Sequence, residues 1–281
     1  MARAQNDVLP TWTSVTDTEE MENWLFRQNK AHHQQVHQDR SFPTISPFTD
    51  LVGEHGTSNL VDSILEGTIN LDKYEFPAHI KDWISLIKRE EADNKLSPIP
   101  SFIEPNEFTR AFKITDEMTS SSPFGTHYTM WKAIAEKEDF CEYLAIMMSL
   151  PFQYGFTNKR WENAIEVMLE KKPNMRKIHL MRIIALVEAD FNTALKIMYA
   201  RKLMWNAEQS GISTDQWGGR PNRSAPDCAT RKLVYWEYGR YMKIPLASFF
   251  GDLASCFDRM KTSLSSIVAM RKGMPKSACL S

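Results

Sequence analysis

No run in this 281-residue chain approaches the ~20 consecutive apolar residues that would span a bilayer. Met1-Ala-Arg-Ala-Gln-Asn-Asp7 has no apolar signal core behind it, so an intracellular location, nucleus or cytoplasm, without membrane contact is expected. Cysteine is sparse: Cys141, Cys228, Cys256 and Cys279 are scattered without a C-x-x-C pair, which argues against a zinc framework and for reduced thiols. No two aspartates are adjacent anywhere in the sequence. What is present is ordinary for a globular protein, with 42% hydrophobic and 25% charged residues. The length suffices for one large domain or two smaller ones.

The net charge of −1 hides a polarity along the chain. Residues 1–156 carry 13 Lys+Arg against 24 Asp+Glu, and residues 157–281 carry 21 against 11, giving −11 and +10. A basic C-terminal part of this kind suits a polyanion, because each phosphate neutralised by Lys or Arg releases a counterion. Two oppositely charged parts that simply face each other would give the same numbers.

The N-terminal 100 residues read as helical. Thr16-Asp17-Thr18-Glu19-Glu20 offers a cap with acids in a first turn, followed by Met21, Trp24 and Leu25 at helical spacing. His33 and His37 lie one turn apart in a polar run, the pattern of a solvated helix face or of two metal ligands lacking a third. Amphipathic helices are expected over 58–68 and 77–90, and Lys95-Leu-Ser-Pro-Ile-Pro100 is the candidate boundary with residues 101–281. Beyond it, Phe108, Ala111 and Phe112 share a helix face. A Ser-rich loop, Thr119 to Thr126, precedes a helix with Tyr128, Trp131 and Lys132, and such a loop caps a helix or binds an anion. Residues 139–154, Met-rich and apolar, read as a buried helix.

In the basic part, Trp161, Ala164, Ile165, Met168 and Leu169 recur at helical spacing, whereas Arg176–Leu186 is basic and then β-branched, as in a strand. Phe191, Ala194, Leu195, Met198 and Leu203 mark a helix, Gln216-Trp-Gly-Gly-Arg-Pro-Asn-Arg-Ser224 a polar turn, and Ala225–Tyr241 another helix. The apolar run from Ile244 then reads as a strand delivering Asp252 at its end, with Asp258 six positions on, after Phe257. A carboxylate at the end of a strand can hold Mg²⁺ through oxygen. A strand running into a helix, with Asp258 near its positive end, produces the same pattern.

Asp252-x4-aromatic-Asp258 resembles the first catalytic-aspartate motif of reverse transcriptases, and further segments resemble the family in the same order. Ser121-Ser-Pro-Phe-Gly125 is similar to the loop that opens the fingers. Trp161 with Lys171-Lys172 resembles the tryptophan and basic finger residue. Leu180-Met-Arg182-Ile-Ile resembles the Arg-Pro-Ile finger motif, without its proline. Ala189-Asp-Phe-Asn through Leu203 resembles the helix ending in Arg-Leu, and Gln216 to Asp227 the Gln-x-Gly-x-Arg turn. The set covers about residues 120–260 and looks like a non-LTR, LINE-like retroelement polymerase. It implies an α+β, helix-rich fold, a partial fingers–palm domain over 101–281 behind a helical N-terminal region, with 164–169 a finger strand rather than a helix.

The resemblance also implies chemistry. Nucleotidyl transfer to a DNA primer uses two divalent metals about 3.5–4 Å apart. Asp252 matches the Mg²⁺ ligand, and Asp258 a less directly catalytic position. Arg182 matches the arginine on the incoming triphosphate, where a guanidinium fork suits phosphate oxygens, with Lys172 or Lys171 nearby. Gln216, Arg220 and Arg223 fall where the family contacts template or supports the fingers. The expected partners are an RNA or DNA template-primer and dNTPs. The chain stops 23 residues after Asp258, before an Asp-Asp hairpin could follow, so the expectation is a fragment inactive by itself. The alternatives are a non-enzymatic nucleic-acid-binding remnant and a helical interaction protein.

Overall fold

A computed structural model of the chain describes residues 16–27, 48–119, 123–171, 173, 181–248, 251 and 260–280. Helix α1 covers 18–27, opened by Asp17, whose Oδ1 accepts the Glu20 N–H at 2.9 Å. His33 and His37 lie outside the described residues.

Two hydrophobic clusters organise the rest. The first gathers α2 (Phe48–Val52), α3 (Asn59–Glu66) and α4 (Ala78–Leu86) around Phe48, Leu51, Ile64, Leu65, Phe76 and Ile84. Helix α3 stops at Gly67, whose left-handed φ of 71° lets its N–H reach Ile64 O. The short α5 (Glu91–Asn94) carries a reciprocal box in which the Asp93 carboxylate accepts the Glu90 N–H at 3.0 Å.

The second cluster is the larger. It is built by α6 (Pro105–Lys113), α7 (Tyr128–Ile134), α8 (Glu138–Tyr154) and α9 (Ala189–Leu195). Helix α9 continues through a π-helical stretch, Lys196–Leu203, into α10 (Met204–Gln209). Pro105 at its first turn and a box between Glu104 and Glu107 start α6, and its apolar face supplies Phe108 and Phe112. Phe112 stacks on Trp131, 5.4 Å between centroids and 15° between planes. Helix α8 buries Cys141, Ala145, Met148 and Phe152 but leaves Phe140, Ile146 and Met147 exposed. The expectation of a buried helix therefore holds for one face only.

The last α-helix, α12 (Thr262–Arg271), joins both clusters: Ile267 and Met270 belong to the first and Ala269 to the second, to which the residues after the helix add Met274 and Ala278. Asp93, 5% exposed, accepts from Arg271 Nε at 2.7 Å and Lys272 Nζ at 2.5 Å. Burial pushes this carboxyl up, but hydrogen bonds from Lys272, the Glu90 N–H and Arg271 outweigh it and hold its pKa at about 2. Asn206 Nδ2 donates to Ser97 O and Lys272 O, and the Ile99 N–H to Gly273 O, each at 2.9 Å. At Gly56 (φ +68°) a Cβ would sit 2.2 Å from Ser263 O, so α12 approaches this turn as closely as glycine alone allows.

Among the described residues the β structure is one antiparallel hairpin, β1 (Ile165–Glu170) and β2 (Met181–Leu186), in register Ile165↔Leu186 through Glu170↔Met181. The helix that spacing suggests for 161–169 is thus replaced by a 3₁₀ turn at Lys159–Glu162 and a strand. Pairing with β2 satisfies this backbone, and the strand agrees with the fold the resemblance implies. The chain is α+β and helix-rich. Helix α11 (Ala225–Met242) is long and mostly exposed, with Gly239 its buried residue. Ile244–Ser248, expected as strand, have no strand partner among the described residues; the Ile244 N–H bonds Gly239 O and Leu246 folds back over Gly239. Residues 249, 250 and 252–259 lie outside the described set. No helix of the described residues is long and apolar enough to cross a membrane.

Candidate nucleic-acid interface

Along the hairpin the register puts Ile165, Val167, Leu169, Arg182, Ile184 and Leu186 on one face, since side chains alternate along a strand. Neither strand contains a buried residue. Arg182, opposite Leu169, is exposed on this face, and Lys171 is exposed just beyond β1. Lys172 lies outside the described residues, as do 174–180 between the strands.

The base of the hairpin is held by charges the sequence did not announce. Arg160 sits five residues before β1 begins; Glu188 and Asp190 follow the end of β2. Arg160 Nη2 donates to Asp190 Oδ2, and Nη1 lies 3.5 Å from Glu188 Oε2. Trp161 Nε1 donates to the same Asp190 oxygen at 3.1 Å, while its ring stacks on Phe191 at 5.0 Å. Glu188 Oε1 accepts the Phe124 N–H at 2.9 Å, which ties the Ser-rich loop to the base. Both carboxylates are fully buried, and Arg160 is 37% exposed. Burial lowers the Arg160 pKa and the charge of Glu188 opposes that shift. A buried carboxylate needs such a partner, because an unpaired one costs several kcal/mol. Glu188 and Asp190 stand as a Glu-x-Asp pair among apolar residues, but nothing in the sequence links that pair to Arg160, 28 positions before Glu188.

The turn at 211–224 is organised by Arg220. Its Nε and Nη2 donate to Glu208 at 2.7 and 2.5 Å, and Nη1 donates to the carbonyls of Ser213 and Gln216. The hydrogen bond with Arg220 lowers the Glu208 carboxyl, and the same bond raises the Arg220 pKa. Gln216 Nε2 donates to Gly218 O at 3.0 Å. Arg223 lies over the Trp217 ring, 5.0 Å from its centroid. Of the residues expected to meet template, Arg220 therefore ties the turn to Glu208 of α10, Gln216 bonds within the turn, and Arg223 packs on its aromatic neighbour.

Asp252 and Asp258 lie outside the described residues. Among the described residues no three His, Cys, Asp or Glu side chains stand together as a metal site.

No family model, no curated protein and no solved structure matches the chain.

Among the described residues the arrangement is thus an exposed hairpin anchored on a helical body, on which Arg182 and Lys171 stand alongside Glu166 and Glu170, with a second arginine-rich turn elsewhere. An exposed guanidinium such as that of Arg182 can contact a phosphate backbone without reading bases.

Proposed function

We propose that the chain supplies the fingers and the beginning of the palm of an RNA-directed DNA polymerase of a LINE-like retroelement, and that it binds an RNA or DNA template-primer through its basic C-terminal part. The observation that carries this reading is the β1–β2 hairpin, which bears Arg182 in the segment where the resemblance implies a finger strand pair. In this reading Arg182 meets the incoming triphosphate, Lys171 and Lys172 add positive charge, and the Arg160 clamp fixes the hairpin to the body. Asp252 would hold Mg²⁺, which supplies charge neutralisation at the transferred phosphoryl group, with Asp258 beside it. The 281 residues contain no Asp-Asp pair, so this polypeptide by itself is expected to extend no primer.

Binding to an RNA–DNA duplex, followed across salt concentrations, is the test. A steep log–log slope that falls by about 1 in Arg182→Ala supports the reading. Absence of binding at low salt refutes it. The exposed apolar side chains of α11, Leu233, Val234, Tyr235 and Tyr238, favour a second reading as a helical interaction protein, which predicts that absence.

A further inference from the structure

Beside the Arg160 clamp lies a cavity of about 290 Å³ walled by Leu144, Met147, Met148 and Trp161. Trp131 and Asp190 also line it, and each has an atom without a partner: Trp131 Nε1, a donor, and Asp190 Oδ1, an acceptor. Trp131 is 6% exposed and Asp190 fully buried, so bulk water does not satisfy either. The rim carries Lys159 and Arg160. We propose that this cavity is a binding site for a single nucleobase of the uracil class, whose ring N–H donates to Asp190 Oδ1 and whose adjacent carbonyl accepts from Trp131 Nε1.

Each feature restricts the ligand. Two buried carboxylates face one guanidinium, so the surplus negative charge rejects a phosphate or carboxylate at Asp190 and demands a donor. Trp131 demands an acceptor and disfavours a cation, because an indole only donates at its nitrogen. A lactam carries a ring N–H donor and a carbonyl acceptor on one small flat ring, the pair of groups that two unpartnered atoms lining one cavity call for. The volume lies at the small end of ligand pockets, about 300–1,000 Å³, and suits one base rather than a base pair. Met147 and Met148 provide polarizable contacts for its faces, and Lys159 at the rim suits an attached phosphate. The preference for a nucleobase among lactams rests on the nucleic-acid reading; the demand for a paired donor and acceptor does not.

The test uses the full chain, ¹⁵N-labelled, titrated with uridine and, separately, with 3-methyluridine, which lacks the ring N–H. Uridine is expected to shift the Trp131 indole N–H resonance saturably, and 3-methyluridine to leave it in place. Trp131→Phe, followed by calorimetry, should weaken uridine about tenfold. Met147→Trp, at a position 43% exposed and outside the clamp, should abolish binding while the protein stays folded. An indole resonance that ignores uridine, or moves equally with both nucleosides, overturns the proposal and leaves water as the occupant. RNA–DNA duplex binding on the same sample separates the two readings. Duplex binding without a uridine response sinks the cavity site alone, and a uridine response without duplex binding sinks the polymerase reading alone.

Discussion

Replacing Asp93 with asparagine removes the carboxylate onto which Arg271 and Lys272 converge from the end of α12. In the wild type the folded protein holds this carboxyl at about 2 against its ordinary 3.8. At about 1.4 kcal/mol per pH unit, the difference is worth roughly 2.5 kcal/mol of stability above pH 4. Because the folded pKa is depressed, that contribution is complete above the unfolded pKa and is lost as the pH falls from about 4 through about 2. The variant also leaves two cations without their shared partner, so a total loss of about 3 kcal/mol is expected at pH 7. Urea unfolding of both proteins, repeated between pH 7 and pH 2, measures the difference. Other carboxylates contribute equally to each protein and cancel, so the gap should shrink progressively below pH 4. A gap that stays constant with pH, or the absence of a gap at pH 7, would refute the assignment of Asp93 as a charged tie between α5 and α12.

Arg160→Met strips two buried carboxylates of their cation and should cost about 3–5 kcal/mol in denaturant unfolding, with hydrogen exchange rising first in the β1–β2 amides. Gly56→Ala puts a Cβ 2.2 Å from Ser263 O at a left-handed φ, so a loss of about 2 kcal/mol or more in thermal unfolding is expected. Arg220→Ala should leave the salt slope of duplex binding unchanged, unlike Arg182→Ala, because its donors are spent on Glu208 of α10 and on the turn's own carbonyls; limited proteolysis should instead find faster cleavage between 211 and 224.

Local signals carried the helices well. The apolar stripes of 58–68 and 77–90 became α3 and α4, the face of Phe108 and Phe112 became α6, and Ala225–Tyr241 became α11. Each is long enough, or sharply enough capped, for its periodicity to be unambiguous. Residues 165–169 were not, because a short run of Ile, Val, Met and Leu fits either period, and only a partner strand 13 or more residues away decides between them. Helix α8 misled in another way: its apolar residues surround the helix, and composition does not say which face has a neighbour. Ile244–Ser248 has strand composition, but among the described residues it has no strand to pair with. Of the candidate interface, motif order singled out Arg182 and the Arg220 turn, and the structure places Arg182 exposed on β2 and Arg220 bonded to Glu208 and the turn's own carbonyls. The Arg160–Glu188–Asp190 clamp was not, since charges 28 and 30 positions apart reveal nothing until the hairpin folds back.

Helix α12 has a consequence for biosynthesis. Arg89 Nη2 donates to Met270 O, 181 positions away, and Ile267 and Met270, with Leu264 and Cys279 packed beside them, complete a cluster otherwise made from residues 48–87. A ribosome adding about 5–20 residues per second needs roughly 10–40 s to cover that distance. Through that interval Phe48, Leu51 and Ile64 wait without the helix that closes over them, exposed to chaperones and to neighbouring nascent chains. The first cluster to leave the ribosome is therefore among the last to be finished, and yield in the cell should respond to translation speed and chaperone supply more than the stability of the finished fold would suggest.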